Sequence, residues 1–169
     1  MIKKRISKLG IGLLGIYQIA GGLFGLQAVF KQSITFIFIH LFSFAIIIGL
    51  FVFSISCGIF LLQNKNITKG IKLSLINQTF QLIQFEILGN GLYYVAGSYV
   101  ALKFTIIPNF SLSLDYSLFR SYCFISFLVD SNLIYVSVNI ISAILISYLL
   151  FIYHKFKINS PQINRELNS

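Results

Sequence analysis

Residues 71–103 read IKLSLINQTFQLIQFEILGNGLYYVAGSYVALK, and the reading of this stretch decides the fold. It is apolar throughout, yet it carries far more polar side chains than the other apolar runs, and it reads as a membrane helix. At about 1.5 Å per residue it exceeds the roughly 30 Å hydrocarbon core, so it tilts or projects its first turns into the interface. Ser74, Asn77, Gln78, Gln81 and Gln84 fall on one helical stripe, and Thr79, Glu86, Asn90, Tyr93 and Gly97 on a second. Neither side suits lipid. Glu86 is the only acidic residue within any predicted span, and an intramembrane carboxylate is a functional hypothesis by default.

Outward from this stretch lie three further apolar runs, 9–30, 34–62 and 133–153. The first two are joined by so short a connection that they predict an antiparallel helical hairpin. QNKNITKG at 63–70 is a polar loop closed by Gly70. Residues 104–131 read as an extracytoplasmic cap. Pro108 and Asn109 mark a turn there, FSLSLDYSL at 110–118 alternates with the period of a half-buried strand, and 120–129 offers a return strand, so the cap reads as a hairpin or a short amphipathic helix. A fifth span over 110–129 would bury Asp115 and Arg120. The expectation is an all-α integral membrane protein: one domain over 1–158, a four-transmembrane-helix bundle with that cap as a possible β-hairpin, and a polar cytoplasmic tail at 159–169.

Composition supports the membrane class. Of 169 residues 57% are apolar and 10% charged, with mean hydropathy +0.87, against about a quarter charged in soluble proteins. A cytosolic globular enzyme and a disordered tail are excluded. The formal charge of +9 does not point to nucleic acid, because no basic stretch is interleaved with aromatics on an exposed face. The basic residues flank the apolar runs. Lys3, Lys4, Arg5 and Lys8, then Lys65, Lys69 and Lys72, then Lys155, Lys157 and Arg165 fall on one side, while Lys31, Lys103 and Arg120 fall on the other. Positive charge is retained inside, so both termini are cytoplasmic. The Ile, Phe, Asn and Lys usage of an AT-rich genome points to a bacterial inner membrane.

Cys57 and Cys123 lie on opposite sides of the membrane in this topology, and both read as small apolar packers. Gly15, Gln18, Gly22 and Gly25 share one face of the first helix, and Gly21 and Gly25 form a G-x-x-x-G, so this is a packing or oligomer face. His40 sits near the outer end of the second helix with no second histidine at its depth; no metal site or cofactor is implied. Gln18 is level with Glu86, Asn90 and Asn139 lie further out, and Tyr135, Ser142 and Tyr153 line the same interior.

No G-x-S-x-G, metal-ligand set or carboxylate pair supports an enzyme. The favoured reading is an oligomeric channel, pore-forming effector or small transporter. Its ion or proton path runs through Glu86, Gln18, Gln81, Gln84, Asn90, Asn139 and His40, and its copies associate through Gly15, Gly21, Gly22 and Gly25. The alternative is a non-catalytic membrane subunit or assembly factor docking a partner membrane protein through the third helix.

Overall fold

The structure, a computed structural model, describes residues 2–31, 41–63, 67–127 and 130–166, with side chains described between Lys8 and Lys155. His40 and Lys65 lie outside the described residues. Helix α1 (Ile2–Phe30) packs along α2 (Leu41–Leu62). Gly15 faces Gly58 and Leu62, while Gly22 faces Phe51 and Ile55, so the two helices run antiparallel. Both are long and apolar enough to cross a membrane, α1 over Lys8–Phe30.

Beyond the hairpin the fold departs from expectation. Helix α3 (Ile67–Leu82) stops inside the stretch read as one long span. It is followed without a break by β1 (Ile83–Ile87), β2 (Asn90–Val95) and β3 (Tyr99–Ile107). Then come β4 (Ser111–Ser117), β5 (Tyr122–Ser126) and β6 (Ile134–Asn139), which runs directly into α4 (Ile140–Glu166). The protein is therefore not an all-α four-helix membrane bundle. Its six strands form one antiparallel sheet of order β4-β3-β6-β1-β2-β5. Nor are 110–118 and 120–129 a hairpin: β4 pairs with β3, and β5 pairs with β2 at the opposite edge.

The physical reason is a change of period at Leu82. Ile83, Phe85 and Ile87 alternate with Gln84 and Glu86, which suits one apolar and one polar sheet face and no helix face. The β1–β2 pairing of Ile87 with Asn90 leaves Leu88 and Gly89 as a two-residue loop with φ of 48° and 78°. Positive φ at both central positions is what a tight hairpin turn requires, and Gly89 meets it without strain. At the other helix–strand junction, Asn139 Oδ1 accepts from Ile141 N at 3.1 Å and caps the first turn of α4.

Two clusters hold the helices. Ile11, Leu14, Leu61, Ile71, Leu149 and Ile152 bring the amino end of α1, the carboxy end of α2, α3 and α4 together. Val29, Phe44, Phe51, Tyr94 and Ala96 pack the other half of the hairpin against the sheet. Between them runs a buried polar seam. Ser74 Oγ donates to Gln18 Oε1 at 3.0 Å, Ser54 Oγ to Gln18 O at 3.1 Å, and Asn77 Nδ2 to Ser54 Oγ at 3.2 Å. The Tyr94 hydroxyl lies 2.9 Å from Leu50 O and 3.1 Å from Asn77 Oδ1.

The turn at 96–98 locks sheet to helices. Ala96 N donates to Gln81 Oε1 at 2.9 Å, Gly97 N to Ser121 Oγ at 3.0 Å, and the Tyr17 hydroxyl donates to Ser98 O and accepts from Ser98 N. Ser121 Oγ donates to Gly21 O. Gly97 takes a φ of +115°, open to glycine, and a Cβ there would press on the Tyr17 ring.

Candidate functional site

Register assigns every strand residue to a face. Ile83, Phe85 and Ile87 lie with Val138, Val136, Ile134, Leu102, Phe104, Leu112 and Leu114 on an apolar face. Gln84 and Glu86 lie with Ser137, Tyr135, Lys103, Asp115, Tyr93 and Tyr122 on a polar face. The α2 end of the apolar face is closed by Phe51 against Tyr94, whose ring centroids are 5.6 Å apart. The rest is open: Ile83, Leu102, Phe104, Leu112, Leu114 and Val138 are 38% to 61% exposed.

The polar face carries an open pocket of about 430 Å³. Its charged lining is Glu86, Asp115 and Arg120. Its walls are the rings of Tyr93, Tyr99, Tyr122, Phe124 and Tyr135. Tyr93 meets Tyr99 and Tyr122 edge to face, with centroids at 6.0 and 5.4 Å. Lys103 Nζ stands 3.9 Å from the centroid of the Tyr135 ring, a cation–π contact that occupies one face of that ring. Among the described residues Arg120 forms no ion pair with either carboxylate.

Glu86 is oriented from above. Ser131 Oγ donates to Glu86 Oε1 at 3.0 Å and itself accepts from Leu133 N at 3.2 Å. Burial raises the Tyr93 hydroxyl pKa, reinforced by its hydrogen bond with Tyr99. Burial, then the Glu86 charge, pushes Tyr135 up to about 12. Burial likewise raises Tyr99. Tyr93, Tyr99 and Tyr135 therefore keep their protons at neutral pH.

No known family, curated protein or solved structure matches the chain.

The residues singled out in the sequence are dispersed by this fold. Glu86 lies in the pocket, on a strand and not mid-helix. Gln84 is buried below it and accepts from Ser137 Oγ at 3.0 Å. Gln18 is tied to Ser74 between α1 and α3, and Gln81 to the 96–98 turn. Asn90 Nδ2 donates to Leu88 O in the β1–β2 turn, and Asn139 caps α4. The channel and ion-transport reading therefore loses its support: these groups belong to separate helix interfaces, a turn, a cap and a sheet face, and they do not line one path through a helical bundle. Gly15, Gly22 and Gly25 face α2, and Gly21 faces Ala96. Among the described residues no cluster of three or more His, Cys, Asp or Glu is arranged to hold a metal ion.

Some pocket residues escaped the sequence reading. Asp115 and Arg120 stood in a cap apart from Glu86, and Tyr99, Tyr122 and Phe124 drew no attention. The signal was there as alternation: Tyr93, Tyr99, Tyr122 and Tyr135 each sit at the polar phase of their strand.

Proposed function

We propose that this protein is a non-catalytic membrane subunit that holds a binding pocket at the outer surface of a bacterial plasma membrane, with both termini cytoplasmic. The observation that carries this reading is the two-faced sheet, one face a charged, tyrosine-walled pocket and the other an open apolar surface, beside two helices, α1 and α2, that also expose apolar side chains. Lipid is the environment that satisfies such a surface.

Charge supports the orientation. Lys8, Lys69, Lys72 and Lys155 gather where the helix ends meet, with no described acidic side chain beside them, whereas Glu86, Asp115 and Asp130 lie on or beside the sheet. That is the asymmetry of a cytoplasmic helical end. The tyrosines of the pocket suit headgroup depth, where rings with a polar tip are favoured.

Binding and not turnover fits the chemistry of the pocket. Its carboxylates face tyrosines kept protonated by burial, and the Ser131 hydroxyl beside Glu86 is already engaged in holding that carboxylate and the Leu133 amide. The reading is tested by reporter insertions. A reporter at the β3–β4 turn, Pro108–Asn109, is expected on the outer side, and reporters at the carboxy terminus and at residue 63 inside. A reporter at 108–109 that reads cytoplasmic, or a protein released from membranes by alkaline carbonate, would refute it.

A further inference from the structure

We infer that the pocket on the polar sheet face binds a zwitterion, its alkylated ammonium held among the tyrosine rings between Glu86 and Asp115 and its acidic oxygen group reaching Arg120. The inference rests on the pocket being the binding surface proposed above, and narrows it to a ligand class.

Three observations converge. The first is the aromatic wall. Alkylammonium groups are recognised by ring faces, and Tyr93 with its edge-to-face neighbours Tyr99 and Tyr122 builds a corner of such rings. The structure already uses this chemistry once in the same place, since Lys103 Nζ sits 3.9 Å from the centroid of the Tyr135 ring. The second is the sign and distribution of charge. Glu86 and Asp115 line the pocket with Arg120, and Lys103 stands on the Tyr135 wall, so an anion alone would meet the two carboxylates, a cation alone would leave Arg120 unanswered, and a zwitterion answers both. The third is Arg120, an exposed cation among the pocket-lining residues that has no carboxylate partner among the described residues. A guanidinium suits phosphate or carboxylate oxygens in a fork geometry. A cavity of about 430 Å³ is within the size range of small-molecule sites.

The same chemistry occurs in phospholipid headgroups and in free zwitterionic solutes. Each has an ammonium a few bonds from an anionic oxygen group.

The experiment uses the full chain in mild detergent, with phosphocholine, tetramethylammonium, inorganic phosphate and glucose as probes. Binding is read by calorimetry and by tyrosine fluorescence, which is unobscured because the chain has no tryptophan. Phosphocholine is expected to bind with a Kd of about 1 mM or below. Glu86→Gln and Asp115→Asn each weaken it about tenfold, while Arg120→Gln weakens phosphocholine and leaves tetramethylammonium unchanged. Circular dichroism and thermal unfolding of each variant separate a lost site from a lost fold; Glu86→Gln and Asp115→Asn are near-isosteric and Arg120 is exposed, so all three are expected to keep the fold.

Phosphate or glucose binding that the pocket variants abolish, with no phosphocholine binding, overturns the ligand class and keeps the pocket. Phosphocholine binding that no pocket variant alters overturns the pocket as well. Failure of every probe at about 10 mM overturns the inference. The two sources separate on reconstitution. If the natural ligand is a headgroup, phosphatidylcholine vesicles suppress phosphocholine binding and phosphatidylglycerol vesicles do not; if it is a solute, both leave binding equal.

Discussion

Replacing Gly21 with alanine adds one methyl group where α1 presses on the turn that joins β2 to β3. The new Cβ would lie 2.5 Å from Ala96 O, 2.6 Å from Ala96 C and 2.9 Å from Gly97 N, all of them backbone. Ordinary contact begins near 3.5 Å, so helix and turn must separate by about 1 Å. The turn cannot yield easily, because Gln81, Tyr17 and Ser121 hold it from three directions and Gly97 is at a φ of +115°. Overpacking of this kind costs about 1–3 kcal/mol. A 1 Å shift of α1 from the turn also stretches the Tyr17–Ser98 hydrogen bonds of 2.9 and 3.0 Å beyond useful range, and losing the two costs about 2 kcal/mol more. Alanine returns about 1 kcal/mol of helix propensity. The net expectation is a loss of about 2–4 kcal/mol. Gly12 is the control: a Cβ there meets nothing within 4 Å, so Gly12→Ala shows the propensity gain alone. Denaturation in mild detergent, followed by far-ultraviolet circular dichroism, compares the two. If Gly21→Ala proves as stable as Gly12→Ala, the turn at 96–98 does not anchor the sheet to α1 and the reasoning fails.

The glutamines of α3 should respond in opposite directions. Gln78 Nε2 is buried with no hydrogen-bond acceptor among the described residues, so Gln78→Leu is expected to raise stability by about 1 kcal/mol, whereas Gln81→Leu removes the acceptor of Ala96 N and lowers it by about 1–3 kcal/mol in the same denaturation assay. Burial pushes the Cys123 thiol from its ordinary 9.0 up to about 12, and Tyr135 from 10.0 to about 12. Both groups keep their protons in the folded state after the unfolded chain has released them. Their contribution is therefore fully present below pH 9 and is lost as the pH rises toward 12. Unfolding curves at a series of pH values should show that decline, and alkylation of Cys123 at pH 9 should run more than about tenfold slower in the folded protein than in the unfolded one.

What the sequence revealed depended on which physical signal dominated locally. The hairpin of α1 and α2 was legible because 20 or so apolar residues in a row have few other uses. The end of α3 was not. Gln81 and Gln84 are spaced to continue one helical stripe and Glu86 and Asn90 a second, and only the strict alternation from Ile83 to Ile87 betrays the strand. The Asn-Gly pair at 90–91, a common hairpin signal, adds to the difficulty because the loop falls two residues earlier, at Leu88 and Gly89. Residues 110–118 showed their strand period openly, but alternation carries no information about partners, and β4 pairs across the β3–β4 turn and not with the segment that follows. Glu86 drew attention because it was an acid among apolar residues. Its pocket needed Asp115 and Arg120 from a distant segment, and only the sheet order brings them together.

The position of β6 has a consequence for biosynthesis. It is the last strand to leave the ribosome, yet it lies between β3 and β1 in the middle of the sheet. A nascent chain that ends before residue 134 can form β3–β4 as one piece and β1–β2–β5 as another, each with a bare inner edge. Such edges recruit other strands, so this interval is the time of greatest exposure to aggregation and quality control. β6 pairs with both edges and leads straight into α4, so docking of the final helix and completion of the sheet are coupled. A premature stop between Ser126 and Ile134 would leave two half-sheets beside the α1–α2 hairpin.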